Sequence, residues 1–563
     1  MNDMPSRQPG RRIWGDRAYP RLAENQLSRL FEFGVPQNIS EGQFIFRLGD
    51  DKYDLVVIEE GQLEIIREAS PGYSEEVIVT FGPGEFIGEL SILTGQFVYL
   101  PARAATDGRI YRIPPEQFRL LMETETALSD ILISAFRARR EILMESASHT
   151  IEVIGSASSA ECMALRSYLE HMALPYRWVD DATPDGSLLM GLASLTAGDL
   201  PAVLLPGGSL RNATPGSLAM NLGLSHERIK DEEVDLAVIG GGPAGLGAAV
   251  YGSSEGLGTV LLDAVGPGGQ AAASSRIENY LGFPNGISGA ELTRLAAVQA
   301  LKFGSRLYSP SRAVGLQPLA NRIKISLSDG TDVHARAVII ATGARYQSLP
   351  IARWKHFEGA GIYYAATELE VRSCAGRSVA VLGGANSAGQ AALFLAGKSI
   401  AVNIILRRDN IEARMSSYLV RRLLADPHVT VHTSSEVTAL EGGDSLEAVR
   451  IRNSATGVES SLRCSGLFCF IGATPATDWL DGVCAADKDG FIYTDVHITD
   501  KDLGPCWREL RRPPLPFETN IPRVFAAGDV RHGSIKRVAA AVGEGASAVS
   551  SVHRVIGVPG VPF

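Results

Sequence analysis

Along the first quarter of the chain, apolar positions fall in short alternating runs broken by glycine turns: "GQFIFRLGD", "DLVVIEEGQLEIIRE", "EEVIVTFGPGEFIGELSILTG" and "GRIYRIP". Alternation at period two marks strands whose two faces meet different surroundings. The period then lengthens through "EQFRLLMETETALSDILISAFRARREILMES", which predicts helix. Residues 21–148 therefore read as a small β-roll closed by helices, and the Arg- and Pro-rich residues 1–20 before it as a frayed segment. Residues 149–224 run strand "TIEVIGS", helix "AECMALRSYLEHMAL", strand "PYRWVDD", a helical or loop segment, and strand "LPAVLLPGG", a small α/β unit. "SHERIKDEE", residues 225–233, is a charged linker, and beyond it two strand–glycine turn–helix–strand units predict a pair of Rossmann-like α/β nucleotide-binding domains.

Composition narrows the class. At 563 residues the chain exceeds a single core, and domains of roughly 100–200 residues imply about three to five of them. A formal charge of −10 leaves no electrostatic footprint for nucleic acid. No apolar core of a signal peptide opens the chain and no run of about 18 apolar residues follows, so the expectation is a cytoplasmic protein with no membrane partner. The six cysteines, at 162, 374, 464, 469, 484 and 506, include no CxxC spacing, and Cys464 and Cys469 fall in the strand "CSGLFCFIG" as core residues. A reducing compartment and no metal site are expected.

The first unit is "VDLAVIGGGPAGLGAAVYGSSEGLGTVLLD", with Gly240, Gly242 and Gly245 as GxGxxG and Asp263 closing the next strand. The glycines permit a tight turn, close approach to a pyrophosphate and close helix–strand packing, and the acid suits a ribose hydroxyl. Around it, "GPGGQAAASSRIENYLGFPNGISGAEL", "VIIATGA" and "VFAAGDVRHGSIKRVAAAVGEGASAV" closely resemble segments of the low-molecular-weight thioredoxin reductases and their alkyl hydroperoxide reductase flavoprotein relatives. The resemblance covers residues 231–563. It implies FAD, with Gln270 and Asn279 near the flavin, Thr342 and Gly343 in the second segment, and Gly528 and Asp529 at the ribityl chain. A helix opened by Arg537 and Val538 would aim its N-terminus at the flavin ring.

The second unit, "RSVAVLGGANSAGQAALFLAGKSIAVNIILRRD", reads Gly383, Ala385 and Ala388 at the glycine positions, with Asn386 and Ser387 opening the helix. A methyl group stands where backbone would approach a pyrophosphate. The following strand ends in Arg407 and Arg408, and by resemblance this loop clamps the 2′-phosphate of NADPH, a task suited to guanidinium. The expected FAD domain comprises 231–347 and 473–563, with the NADPH domain, 348–472, inserted.

Where the family carries CxxC, "GIYYAATELEVRSC" places Ala365 and Glu368, which cannot exchange disulfides. The 149–224 unit has the order of elements of the thioredoxin fold; its helix start reads Ser159-Ala160-Glu161-Cys162, and Pro201 matches that fold's cis-proline. "GEFIGELSILTG" resembles the phosphate-binding cassette of cyclic nucleotide-binding domains, with Gly88, Glu89 and Leu90 in place. Read without gaps, however, the cassette's Pro-Arg pair becomes Phe97-Val98, and Arg103 serves only after an insertion. A cyclic nucleotide should then bind weakly, leaving another small ligand or an assembly role open.

These features imply an NADPH-dependent FAD oxidoreductase without a redox disulfide, its acceptor a quinone, a small redox protein or oxygen. Glu368 is a candidate proton donor or a solvated helix-start carboxylate. A thioredoxin reductase using Cys162 or a partner's thiols, and a sensor with little turnover, are the alternatives. The family resemblance implies a homodimer.

Overall fold

The computed structural model describes residues 17–50, 53–68, 74–88, 91–98, 100–145, 151–156, 159–205, 208–225, 233–272, 274, 277, 279–358, 360–364, 366, 371, 374, 377–398 and 400–557. The β-roll consists of two antiparallel four-stranded sheets, Val35–Ile39/Gly108–Ile113/Leu55–Glu60/Phe86–Ile87 and Phe44–Phe46/Ala102–Ala104/Leu63–Arg67/Glu76–Phe81. Period-two alternation is visible in the Leu55–Glu60 strand. Val56 and Ile58 point between the sheets, whereas Leu55 and Val57 face a helical layer containing Leu30, Phe118, Leu132 and Phe136. The predicted helical stretch breaks at Glu125 into Pro115–Thr124 and α2 (Thr126–Glu145), preceded in the roll by the short α1 (Ser91–Thr94).

Residues 17–20, expected to be frayed, are ordered, and residues 1–16 lie outside the described residues. Ala18 is fully buried and its carbonyl accepts a hydrogen bond from Arg139 Nε at 2.8 Å, while Tyr19 packs on Phe81. An apolar pair and a buried guanidinium order what composition alone left polar.

In the second unit, Arg177–Val179 and Glu152–Ile154 pair in parallel, and Ala202–Leu205 and Gly208–Leu210 complete the sheet antiparallel. The Leu200–Pro201 peptide is cis. The Ala160–His171 and Pro215–Asn221 helices cover one face, and Pro184–Leu192 the other. This unit clasps both neighbours: Phe97 N–H of the roll donates to Leu222 O at 2.9 Å, and Tyr168 Oη donates to Ser309 O at 3.2 Å.

The C-terminal part opens with β1 (Glu233–Ile239), α3 (Pro243–Ser254) and β2 (Thr259–Leu262), followed by α4 (Gly289–Lys302) and β3 (Asp332–Ile340). β1 lies between β2 and β3, all parallel, in a seven-stranded sheet. The chain then builds a five-stranded parallel sheet around β4 (Val379–Leu382) and β5 (Val402–Ile405), with α5 (Asn386–Ala396) between them. It leaves the first sheet and returns to it through a short antiparallel ladder of Ala344–Tyr346 and Ala473–Pro475. β6 (Val524–Ala526) rejoins β3 in parallel, and α6 (Val538–Ile556) lies along α3. Among the described residues no helix is long and apolar enough to cross a membrane.

α4 belongs to two cores. Val298 packs with the helical layer of the roll, and Leu93 of α1 touches both that layer and the core under β1. Ion pairs Arg294–Glu141, Arg137–Glu291 and Lys302–Asp130 rim the seam; such partly exposed pairs contribute little, so the apolar contact carries it. At its other side, Gly289 N–H of α4 donates to Ser274 O at 2.7 Å.

α3 and α6 cross at backbone contact. A Cβ on Gly545 would lie 2.0 Å from Ala244 O, whereas one on Gly543 of the same helix would meet nothing within 4 Å. Gly545→Ala is therefore expected to destabilise by about 1–3 kcal/mol through overpacking. Gly543→Ala should stabilise by up to about 1 kcal/mol through helix propensity. Chemical denaturation followed by far-ultraviolet circular dichroism separates the two.

Candidate functional site

Ile239, Ile340 and Ala526 are register partners across three parallel strands, so the chain leaves β1, β3 and β6 at one level. In open parallel sheets the crevice beyond these carboxyl ends is where ligands bind. Gly240 turns there with φ +107°, and a Cβ on it would lie 2.3 Å from Ala341 O. Gly242 caps α3, and nothing stands within 4 Å of where its Cβ would be: open space faces a helix N-terminus, whose first amides have no helical acceptor. Gly245, one turn on, packs directly on Gly240 O.

Asp263 stands at the end of β2 as expected, and it does more than wait for a hydroxyl. Its Oδ2 accepts from Gly241 N–H at 2.6 Å, and its Oδ1 accepts from Val265 and Gly266 N–H, both at 2.8 Å. A carboxylate offers about four lone-pair sites. Three hold the glycine loop and the β2 turn together, and one is left for an outside donor. Sequence reading missed this bracing role because a backbone amide has no residue signature.

Around the crevice, Gln270 Nε2 donates to Ala344 O, just beyond Gly343. Thr342 Oγ1 donates to Ala476 O at 2.9 Å and Ala476 N–H donates to Gly343 O at 3.0 Å, which latches the two connecting segments. Gly528 N–H donates to Glu544 Oε2 at 2.7 Å, and Glu544 also pairs with Arg531 at 2.8 Å; neither partner was singled out from sequence. Asp529 follows, half-buried. Burial raises its carboxyl above the ordinary range, Glu544 pushes the same way and Lys536 opposes, so a hydroxyl donor would suit it. Val538 begins α6 after Arg537, whose exposed guanidinium donates to Lys536 O rather than capping the helix. Asn279 lies exposed on a bend, and its side chain makes no hydrogen bond to a described residue.

In the second unit, Gly383 turns with φ +140° and Ala385 caps α5 with its methyl exposed, while Ala388 is fully buried. Asn386 Oδ1 accepts from Ser416 N–H at 2.7 Å, which ties the segment before residue 417 to the α5 N-terminus. Ser387 is exposed beside it. Arg407 and Arg408 follow β5 and are exposed, with no guanidinium hydrogen bond or ion pair to a described residue; the same holds for Arg414 on the tied segment. Arg414 was not anticipated, although "RRDNIEAR" carries the signal in its third arginine.

A parallel bridge joins Ser274, just past the Gly269–Ala272 turn of the first unit, to buried Ala366. Ala365 and Glu368 lie outside the described residues. All six cysteines are free, five buried and only Cys506 exposed. Burial pushes Cys464, Cys469 and Cys484 up to about 12 and raises Cys162 as well. Ser159 caps the Ala160–His171 helix, its Oγ accepting from Cys162 N–H at 3.2 Å, so a hydroxyl occupies the helix start.

In the roll, Gly88 is buried and its carbonyl accepts from Arg139 Nη1 at 2.7 Å; Glu89 and Leu90 lie outside the described residues. Val98 is 2% exposed and lines an apolar cavity. Arg103, between the inward-facing Ala102 and Ala104, pairs instead with Glu64 at 3.2 Å and Glu75 at 3.1 Å.

Residues 234–545 match the pyridine nucleotide-disulphide oxidoreductase family, and residues 36–125 match the cyclic nucleotide-binding domain. The chain is 32% identical over 326 residues to a thioredoxin reductase of Rickettsia felis, covering 56% of this chain and 96% of that protein. It is 31% identical over 331 residues to a bifunctional thioredoxin reductase/thioredoxin of Mycobacterium leprae, covering 59% and 66% respectively. The crystal structure of T. acidophilum thioredoxin reductase aligns with a TM-score of 0.51 at 27% identity, over 57% of this chain and 99% of that one.

The burial of the thiols gives a direct expectation. Brief treatment of the native protein with an aromatic disulfide reagent at pH 8 should modify Cys506 alone, and denaturation should expose the other five, as read by peptide mass spectrometry.

Proposed function

Because the chain belongs to the pyridine nucleotide-disulphide oxidoreductase family, we propose that its C-terminal part is an NADPH-dependent FAD oxidoreductase that delivers electrons without a redox disulfide of its own. The observation that carries this reading is the Ala366–Ser274 bridge. It sets Ala366 against the unit that would hold FAD, and no two of the six cysteines have CxxC spacing.

The crevice residues fit FAD. Gly242 leaves room for backbone to meet a pyrophosphate at the α3 N-terminus, Asp263 keeps one acceptor site for a ribose hydroxyl, and Asp529 is set for the ribityl chain. The N-terminus of α6, beginning at Arg537 and Val538, adds positive potential at the same end of the sheet. Gln270, Thr342, Gly343 and Gly528 hold the walls, and Asn279 takes its place as a flavin neighbour by family resemblance. FAD bound there supplies two-electron transfer between NADPH and an acceptor.

The second unit fits NADPH with one departure, the Ala385 methyl. Asn386 and Ser387 open α5 toward the pyrophosphate, and Arg407, Arg408 and Arg414 bring three uncommitted guanidinium groups to the 2′-phosphate. With Ala and Glu at the two cysteine positions, the acceptor is a quinone, a small redox protein or oxygen, with Glu368 as a candidate proton donor. The dimer is carried over from the family resemblance.

A second reading, thioredoxin reduction through other cysteines, is favoured by the names of the relatives and by the thioredoxin-like order of the 149–224 unit. Against it stand the buried, raised Cys162 thiol and the hydroxyl of Ser159 at the attacking position.

Anaerobic NADPH should bleach the flavin of the FAD-loaded protein. Quinone or oxygen should then reoxidise it, whereas oxidised thioredoxin should not; no bleaching overturns the oxidoreductase reading, and fast reoxidation by thioredoxin alone selects the second. Replacing Arg407, Arg408 and Arg414 together by Ala should raise KM for NADPH by tenfold or more and leave NADH nearly unchanged. Charge-assisted hydrogen bonds are worth about 1.5–3 kcal/mol, and about 1.4 kcal/mol is a factor of ten.

A further inference from the structure

One rim of the crevice is held by residues that the match over 234–545 does not include. The Arg306–Tyr308 strand pairs in parallel with β2, Leu262 opposite Tyr308, so Ser309 leaves the sheet at the same level as Asp263. The two are tied along the backbone: Asp263 N–H donates to Tyr308 O at 3.1 Å, and Ser311 N–H donates to Asp263 O at 2.6 Å. An acid at the end of this strand takes the ribose of a dinucleotide, which sets the adenosine half at this rim. Ser309 is 2% exposed, and its Oγ has no hydrogen-bond partner among the described residues. Buried hydroxyls are nearly always satisfied, so an orphan at the carboxyl edge of a nucleotide-binding sheet points to a ligand atom.

The 149–224 unit grips both turns that flank Asp263. Tyr168, fully buried in that unit's core, donates its Oη to Ser309 O at 3.2 Å. Three residues on, and so on the same helix face, His171 packs against Gly266. Only glycine leaves room there, because a Cβ on Gly266 would lie 2.5 Å from His171 Cβ. Gly266 N–H in turn donates to Asp263 Oδ1. The imidazole is fixed to its own helix, Nδ1 donating to Ser167 O at 2.7 Å.

We infer that the 149–224 unit is a positioning clasp for the adenosine half of FAD: Tyr168 and His171 hold the Ser309–Ser311 and Val265–Gly266 turns about Asp263, and the Ser309 hydroxyl bonds the nucleotide. The inference rests on the FAD reading of the crevice and adds to it a contribution from outside the matched family domain. Both turns are held before the nucleotide enters, so binding does not have to order them. A module without a CxxC pair thereby acquires a task in cofactor retention.

Fluorescence titration of the full-length apoprotein with FAD tests this, with ADP read as a competitor of FAD so that only the crevice is probed. Tyr168→Phe deletes one hydroxyl and keeps the ring; it should weaken FAD and ADP by the same factor, about fivefold, the weight of one hydrogen bond. Affinity for NADPH should not move. Ser309→Ala should weaken FAD and ADP likewise, yet leave the thermal midpoint of the apoprotein unchanged or higher, because it removes an unsatisfied buried group. A serine with only a structural role would show the reverse. Unchanged FAD affinity in Tyr168→Phe or Ser309→Ala, weakening of FAD without ADP, or equal weakening of NADPH overturns the inference and leaves the FAD reading standing. Failure of the wild-type apoprotein to bind FAD overturns both.

Discussion

Everything on the C-terminal side hangs on the common level at which Ile239, Ile340 and Ala526 end their strands. Parallel pairing aligns the three carboxyl ends, and the α3–α6 crossing at Gly545 brings both helix N-termini to the same end of the sheet. Neither helix can be displaced sideways without opening the other's contact. Asp263 completes the arrangement by spanning the glycine loop and the β2 turn with three amide hydrogen bonds.

Much of this was legible in the sequence, and the reason is periodicity. The alternation in "DLVVIEEGQLEIIRE" and the glycine turn in "VIGGGPAGLG" are local patterns, and local patterns survive into the fold because burial of one face enforces them. What the sequence hid was non-local. Glu544 reaches back to Gly528, and Arg139 crosses from α2 to Ala18 and Gly88; no spacing rule connects residues so far apart. The same contact corrects residues 17–20, whose polar composition concealed one buried methyl and one ring. Arg414 had a visible signal that was passed over, because the arginine pair before it was sufficient to suggest phosphate.

On the reading proposed above, the three modules share one feature of chemistry: each keeps a scaffold while a reactive or charged side chain is replaced by an inert one. By the family resemblances, Val98 would stand for a phosphate-binding arginine, Ser159 for a nucleophilic thiol, and Ala365 and Glu368 for a disulfide. In the roll the Gly88 carbonyl is held by Arg139, and in the second unit Pro201 is cis. Retaining the backbone while changing the side chain alters which molecules can react there without altering how the modules pack.

α4 makes the packing itself informative. One face of this helix completes the helical layer of the roll through Val298, and its first turn anchors Ser274 through Gly289. A helix that is core to two modules cannot melt with only one of them, so the seam joins them into a single cooperative unit for unfolding. Thermodynamic linkage then runs both ways: stabilisation of the roll protects the segment around Ser274 against local opening, and whatever orders that segment feeds back on the roll to the same extent.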